Sequence, residues 1–382
     1  MPRVRTPLTP RPARRLRAVA VATALAAAAP LAAATPAAAR PDHPSRSFDL
    51  QAHRGGLGLV VESTLPAFAN ALELGVSTLE LDVQITEDGQ AVVTHDRQVS
   101  AAKCRDTAPA VPGDPEFPYV GKYVTTLTLA QVRTLDCGSL RLAAFPGQRL
   151  APGARMPLLR EVFDLVDRYR ARGVTLNVET KVEAGAPEET APRERFVQVV
   201  AAEVRRARIA DQVTVQSFDW GALRRMRQVA PRLPLVALTN GQQFLQAGVE
   251  GASPWLGGLD IDDFTLSGRR SLQQAYVAAA AHLGADAVSP VHGDPQGGGV
   301  RTPGYVPFTT RELVDAAHRE GMRVVPWTID DAPTMRRLLR LGVDGIITDR
   351  PDVLRECSST RGCACRGRTT PRGGRAPDPR GR

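Results

Sequence analysis

A TIM (β/α)8 barrel interrupted by one small, loop-rich insertion is the fold this chain predicts. First, about eight strand-like runs alternate with helix-like runs between residues 45 and 354, joined by short connections. Second, the residues able to do chemistry cluster at the ends of strand-like runs, where a barrel of this kind presents its active site. Third, a doubly wound sheet would place a phosphate-binding glycine loop after its first strand. Here that strand ends instead on the charged pair His53-Arg54, followed by Gly55 and Gly56.

The elements follow in order. FDLQAH (48–53) reads as a first strand, and STLPAFANALELG as a helix with a Ser/Thr start and a stop at Gly75. STLELDVQIT and AVVTHD are two strands about the turn Glu87-Asp88-Gly89. Residues 97–155 break the rhythm: rich in Pro and Gly and weakly periodic, they read as an insertion at the catalytic end. LLREVFDLVDRYRARG, a helix, then leads to the strand VTLNVETK. ERFVQVVAAEVRRARI precedes VTVQSF, and DWGALRRMRQVA precedes LPLVALT. The last units are LQQAYVAAAAHLGADAVSPV, TTRELVDAAHREGMRVVPWTI and APTMRRLLRLGVDGIITD.

Two appendages flank this core. Residues 1–17 carry six arginines, and the small apolar run that follows ends in Ala37-Ala38-Ala39. This pattern predicts a secretory signal peptide over 1–39, a barrel over 40–355 and a secreted, extracellular protein. Pro30 and Pro36 interrupt the apolar run, so it makes a poor membrane anchor, and the rest of the chain offers no transmembrane segment. Residues 356–382, rich in Gly, Pro and Arg, read as a disordered basic tail suited to weak contact with an acidic cell surface. The formal net charge of +9 belongs to these appendages; residues 40–354 are near −3, which argues against a nucleic-acid partner. Of the five cysteines, Cys104 and Cys137 are plausible disulfide partners within the insertion of an exported protein, while Cys357, Cys363 and Cys365 leave their pairing open.

The chemistry starts with Glu80 and Asp82. Two apart in a strand, they leave the same face, and two converging carboxylates repel unless a hard cation holds them. Glu179 and Lys181 repeat that spacing on another strand, so Glu179 would complete a three-carboxylate cage and Lys181 would neutralise phosphate charge beside it. Without cysteine and with few histidines nearby, the cage suits one divalent cation, Ca2+ or Mg2+, rather than zinc. His53 and His95 close neighbouring strands, and two imidazoles can divide proton acceptance and proton donation between them. Arg54 offers a permanently charged fork for phosphate oxygens, and its glycines allow close backbone approach. Asp96 reads as a cap or as a partner of His95, and Asp349 as an organiser of the final loop. These residues describe a metal-dependent hydrolase of a phosphate-bearing substrate.

From residue 48 to 354 the chain resembles the glycerophosphodiester phosphodiesterase family of the secreted bacterial type. The resemblance rests on HRGG, ESTLPAFANALELG, LELDVQITEDGQAVVTHD, NVETK, QSF, VVPWTID and GVDGIITDRPD, in that order. It implies a TIM barrel and metal-dependent hydrolysis of glycerophosphodiesters to glycerol 3-phosphate and an alcohol. It also implies acid–base histidines at His53 and His95, metal ligands at Glu80, Asp82 and Glu179, and phosphate contacts at Arg54 and Lys181. Phe218 and Trp327 match pocket aromatics of the family. Glu62 falls where the family carries a glutamate within ENT, also close to the metal; here the motif reads Glu62-Ser63-Thr64, and Ser63 can still start a helix. Glycerophosphocholine and glycerophosphoethanolamine are the substrates this implies.

Two other readings compete. A phospholipase-D-like or lyase enzyme acting on intact lipid would want an apolar rim, for which the insertion offers Phe117, Tyr119 and Tyr123. A catalytically silent surface-binding protein would have lost part of the histidine and carboxylate set, all of which is present.

Overall fold

A computed structural model describes residues 48–359. The signal-peptide reading of 1–39 and the tail beyond Ser359 concern residues outside that range. Eight parallel strands run through it: β1 (Asp49–Ala52), β2 (Thr78–Ile85), β3 (Thr175–Thr180), β4 (Val213–Ser217), β5 (Leu235–Thr239), β6 (Ala287–Pro290), β7 (Arg323–Val324) and β8 (Gly345–Thr348). They lie in the order β7-β6-β5-β4-β3-β2-β1-β8. The circle is drawn nearly closed between β7 and β8, where Asp344 N–H donates to Val324 O at 2.9 Å and Ile347 N–H to Pro326 O at 3.0 Å. The fold is the (β/α)8 barrel that the alternation of elements predicts.

A helix follows each strand: α1 (Leu65–Leu74), α2 (Leu159–Arg168), α3 (Arg193–Ala207), α4 (Trp220–Val229), α5 (Leu272–Leu283), α6 (Arg311–Arg319), α7 (Ala332–Leu341) and α8 (Pro351–Ser359). Their boundaries are chemically marked. Ser271, Thr310 and Asp331 cap α5, α6 and α7 through their side chains, and Gly75, Gly284 and Gly342 end α1, α5 and α7 in the left-handed conformation. At α1 the cap is Thr64, whose hydroxyl accepts from Ala67 N–H, and not Ser63, which the sequence offers; Ser63 takes φ +55° in the turn before it. Helix α8 runs to Ser359, so Glu356 and the buried Cys357 belong to the barrel's last helix and not to a tail starting at 356.

Strand β2 shows how the pattern builds the core. Leu79, Leu81, Val83 and Ile85 are fully buried in the apolar core, each worth about 1.5–3 kcal/mol for Leu or Ile. Alternating with them, Thr78, Glu80, Asp82 and Gln84 are equally buried, and all four are polar. Parallel register then lines up Asp82 with Glu179 of β3, and Glu179 with Gln216 of β4.

Between a short strand Ala91–Val93, antiparallel to β2, and helix α2, the chain builds a second small core. Tyr119, Val124, Leu127 and Leu135 fill it, and Cys104 and Cys137 are joined by a disulfide, the pairing expected from sequence. The Arg133 guanidinium docks this segment onto α2 by a two-pronged contact with Glu161 at 2.7 and 2.8 Å. Among the described residues no helix is long and apolar enough to cross a membrane.

Candidate active site

A cleft of about 980 Å³ opens over the ends of the strands, bordered by barrel loops and by the inserted segment. At its floor are Glu80, Asp82 and Glu179, whose carboxylate oxygens lie within 4.8 Å of one another. All three are almost wholly buried. Glu80 is held on both oxygens: Oε2 accepts the Arg54 backbone N–H at 2.9 Å and Oε1 accepts Gln216 Nε2–H at 2.8 Å. Gln216 is in turn fixed by Asn177, which donates to its Oε1 at 2.7 Å and to Gln51 Oε1 at 3.0 Å. A ladder of side-chain amides inside the barrel thus sets the angle of one carboxylate.

Asp82 is different. Neither of its buried oxygens has a hydrogen-bond partner. Arg54 Nε stands 3.3 Å from Oδ2 and Lys181 Nζ 3.7 Å from Oδ1, both loose ion pairs. Burial alone would push this carboxyl up, but His95, Lys181 and Arg54 hold it well below the usual range. The neighbouring acids go the other way. Burial and then Asp82 push Glu80 up to about 8. Burial also raises Glu179, against the pull of Lys181, to about 7. Three crowded carboxylates, two of them reluctant to ionise and the third lacking donors, form an oxygen set that fits a hard divalent cation.

Each candidate histidine is paired through Nδ1. His53, in a turn at the end of β1, lies 2.5 Å from Asp349 Oδ1. Burial and Arg54 lower its proton affinity, and Asp349 with Glu80 more than offsets them, so the net shift is upward. His95 Nδ1 lies 2.7 Å from Asp96 Oδ1, and burial together with Arg54 and Lys181 lowers its pKa well below the ordinary histidine value. In both rings the carboxylate lies at Nδ1 and not at Nε2. Asp349, expected to organise a loop, is thus a histidine partner, and Asp96 orients His95 and does not merely cap.

The cations converge on the same floor. Lys181 Nζ pairs with Glu179 Oε1 at 2.8 Å, and Arg54 Nη1 donates to Glu62 Oε2 at 3.0 Å. Glu62, expected near the metal, stands outside the three-carboxylate group and pairs on its other oxygen with Lys103 Nζ at 3.1 Å. Lys103, Gln216 and Asp330 also join the site, through contacts made only in the folded chain. Asp330 accepts the Asp349 N–H at 2.8 Å, and burial and Asp349 push its carboxyl up to about 7.

One wall is aromatic. Phe218 packs edge-to-face against both Trp327 (5.3 Å) and Phe244 (5.2 Å), and Phe244 stacks on Trp255 at 4.1 Å. Trp327 Nε1–H donates to Ser289 O, which fixes the indole. The apolar rim that an enzyme of intact lipid would want is not built from the three residues the sequence offers. Tyr119 is fully buried, Tyr123 donates its hydroxyl to Glu189, and Phe117 alone is exposed.

Comparison with known proteins agrees with this geometry. The glycerophosphoryl diester phosphodiesterase family matches residues 53–353. A glycerophosphodiester phosphodiesterase of Caldanaerobacter subterraneus subsp. tengcongensis is 28% identical over 303 residues, covering 79% of this chain and 94% of that one. A crystal structure from Silicibacter pomeroyi, assigned as a glycerophosphoryl diester phosphodiesterase, is similar with TM-score 0.66 and 31% identity, covering 84% of this chain and 96% of that one. An Oleispira antarctica phosphodiesterase, solved in complex with the product sn-glycerol-3-phosphate, shares the fold at TM-score 0.58 and 18% identity, covering 82% of this chain and 97% of that one. With its barrel, its buried carboxylate group and a family match across nearly all of the described residues, the chain belongs to the glycerophosphoryl diester phosphodiesterase family and is an enzyme of that family, a phosphodiester hydrolase.

Proposed function

We propose that this enzyme hydrolyses small glycerophosphodiesters, with glycerophosphocholine and glycerophosphoethanolamine as the first candidates, to glycerol 3-phosphate and an alcohol. The observation that carries the reading is the pair of carboxylate-bound histidines flanking one three-carboxylate group. The product bound by the Oleispira antarctica phosphodiesterase supports the same substrate half.

Glu80, Asp82 and Glu179 would hold one divalent cation, Ca2+ or Mg2+, which when bound supplies Lewis-acid stabilisation of charge on the phosphoryl oxygens. The chain's own groups do the rest. Arg54 and Lys181 neutralise the nonbridging oxygens as negative charge builds on them. One imidazole takes through Nε2 the proton of the attacking oxygen, either that of water or that of the neighbouring glycerol hydroxyl with water then opening the cyclic phosphate, while its Nδ1–H stays with a carboxylate. The other imidazole delivers a proton to the departing alkoxide. Phe218 and Trp327 exclude water and hold the glycerol or alcohol half. The sequence features of 1–39 support export, and the basic tail supports contact with an acidic cell surface.

Purified protein is assayed for glycerol 3-phosphate release from glycerophosphocholine, stripped of metal and then resupplied with Ca2+ or Mg2+, beside His53→Ala and His95→Ala. Metal-dependent release lost in both variants is expected. Turnover of intact phospholipid with none of the small diesters would overturn the reading.

A further inference from the structure

Lys103, a charged side chain of the inserted segment, reaches into the cleft and meets two carboxylates there. Lys103 lines the cleft, only partly exposed, and its Nζ sits 3.1 Å from Glu62 Oε1 and 2.8 Å from Asp96 Oδ2. Each of those carboxylates spends its other oxygen on a residue of the proposed chemistry. Glu62 Oε2 accepts from Arg54 Nη1, and Asp96 Oδ1 pairs with His95 Nδ1. One ammonium therefore joins the phosphate-binding guanidinium to one of the two imidazoles through a line of alternating charges: Arg54, Glu62, Lys103, Asp96, His95.

On the Glu62 side the joint has no second partner among the described residues. Glu62 Oε1 is buried and has no hydrogen-bond partner beyond this ion pair, so removing the ammonium leaves a buried carboxylate oxygen uncompensated. The backbone beneath Lys103 is fixed from both sides. Its N–H and that of Cys104 both return to Ser100 O, at 3.1 and 2.8 Å, and Cys104 is bonded to Cys137 across 33 residues. Arg105 continues the anchor, with its guanidinium on Asp136 at 2.8 and 3.0 Å.

We propose that Lys103 is a positioning residue for this reaction, holding Asp96 against His95 and Glu62 against Arg54, and that the Cys104–Cys137 disulfide serves catalysis by holding Lys103 in place. The inference rests on the proposed hydrolysis, and part of its test does not need activity.

Lys103→Ala, Lys103→Arg and the wild-type protein are compared for kcat, KM and the 15N resonances of the His95 ring, each before and after mild reduction, with near-UV circular dichroism reporting the fold. Lys103→Ala should lose kcat by about tenfold to a hundredfold, the scale of a group displaced by an ångström. KM should change less, and the His95 Nδ1 resonance should move as its partner is released. Lys103→Arg should recover most of the loss, because it restores a cation at the node. Reducing the folded wild-type protein should reproduce the alanine phenotype, and reducing Lys103→Ala should add nothing further. An alanine variant with wild-type kcat and an unmoved His95 resonance overturns the proposal. So does reduction that lowers kcat of Lys103→Ala by the same factor as wild type. If reduction unfolds the chain, the contrast between alanine and arginine variants decides. If the wild type releases no glycerol 3-phosphate, the functional reading has failed, and the His95 resonance alone still tests the positioning.

Discussion

His53 Nδ1 sits 2.5 Å from Asp349 Oδ1 although 296 residues separate them in sequence. Barrel closure makes the contact, because β8 lies beside β1 with Thr348 in register with Ala52. Asp349 is itself steadied, since its N–H donates to Asp330. The carboxylate fixes which ring nitrogen carries the proton and stabilises the imidazolium, as a triad aspartate does for its histidine. Asp349→Asn keeps the shape and removes the charge. Its kcat should fall by about 100-fold or more, within the range general acid–base catalysis supplies, with KM little altered. Steady-state kinetics check this, and a change confined to KM would show that Asp349 only shapes the pocket.

Asp82 is the carboxylate without hydrogen-bond donors, so it has the most to gain from a cation. Metal added to chelated protein at about a hundred times its dissociation constant should stabilise the fold by about 2.7 kcal/mol. Thermal melts with and without Ca2+ or Mg2+ measure the gain. In Asp82→Asn the metal-dependent gain should vanish and activity should be lost with it. A full metal-dependent shift in that variant would place the cation elsewhere.

Much of this site is legible in the sequence, and the limits have physical reasons. The period of two in LELDVQIT displays Glu80 and Asp82 on one face whatever the rest of the chain does. ETK repeats the pattern, and parallel register then sets Glu179 beside Asp82. The helix end at Gly75 is likewise a local fact. Asp349 is not readable in this way, because its role depends on the last strand closing onto the first. Lys103 lies in an aperiodic insertion, where only the disulfide pairing is suggested by sequence. The motif position of Glu62 points to the metal, but two cations that meet it only in three dimensions take up its oxygens.

The raised carboxyl groups give the metal-free enzyme a pH signature. Burial, with Asp82 nearby, brings Glu80 to about 8 and Glu179 to about 7, above the ordinary 4.5. Between those limits the folded state binds more protons than the unfolded state, so stability falls as pH rises. His53, shifted upward, acts in the same direction. His95, shifted downward, opposes them only below about 6.5, where its unfolded form takes up a proton. The melting temperature of chelated protein should therefore decline from about pH 6.5 to pH 8.5. Saturating cation, which binds the ionised carboxylates, should flatten that decline. A melting temperature that climbs with pH in chelator would contradict the carboxylate assignment.

Gly55 links the fold to the chemistry at a tight turn. Arg54, Gly55 and Gly56 take φ of +50°, +83° and +85° in succession, turning the chain so that the Arg54 N–H reaches Glu80. A side chain at Gly55 would meet helix α1 head on, with its Cβ 2.9 Å from Ala67 Cβ and 3.0 Å from both Ala67 C and Phe68 N. Two costs then add in Gly55→Ala: about 1–2 kcal/mol for a left-handed residue carrying a Cβ, and about 1–3 kcal/mol for overpacking against backbone that cannot move aside. Gly113→Ala separates them, because its φ is +75° and nothing lies within 4 Å of the added carbon. Denaturant melts should show the smaller loss at Gly113 and the sum at Gly55. Well below its melting temperature, Gly55→Ala should also lose kcat while Gly113→Ala does not, since only the former moves Arg54 and His53. Equal losses of stability at the two glycines would mean that α1 yields to the new methyl group and that the turn is held by conformation alone.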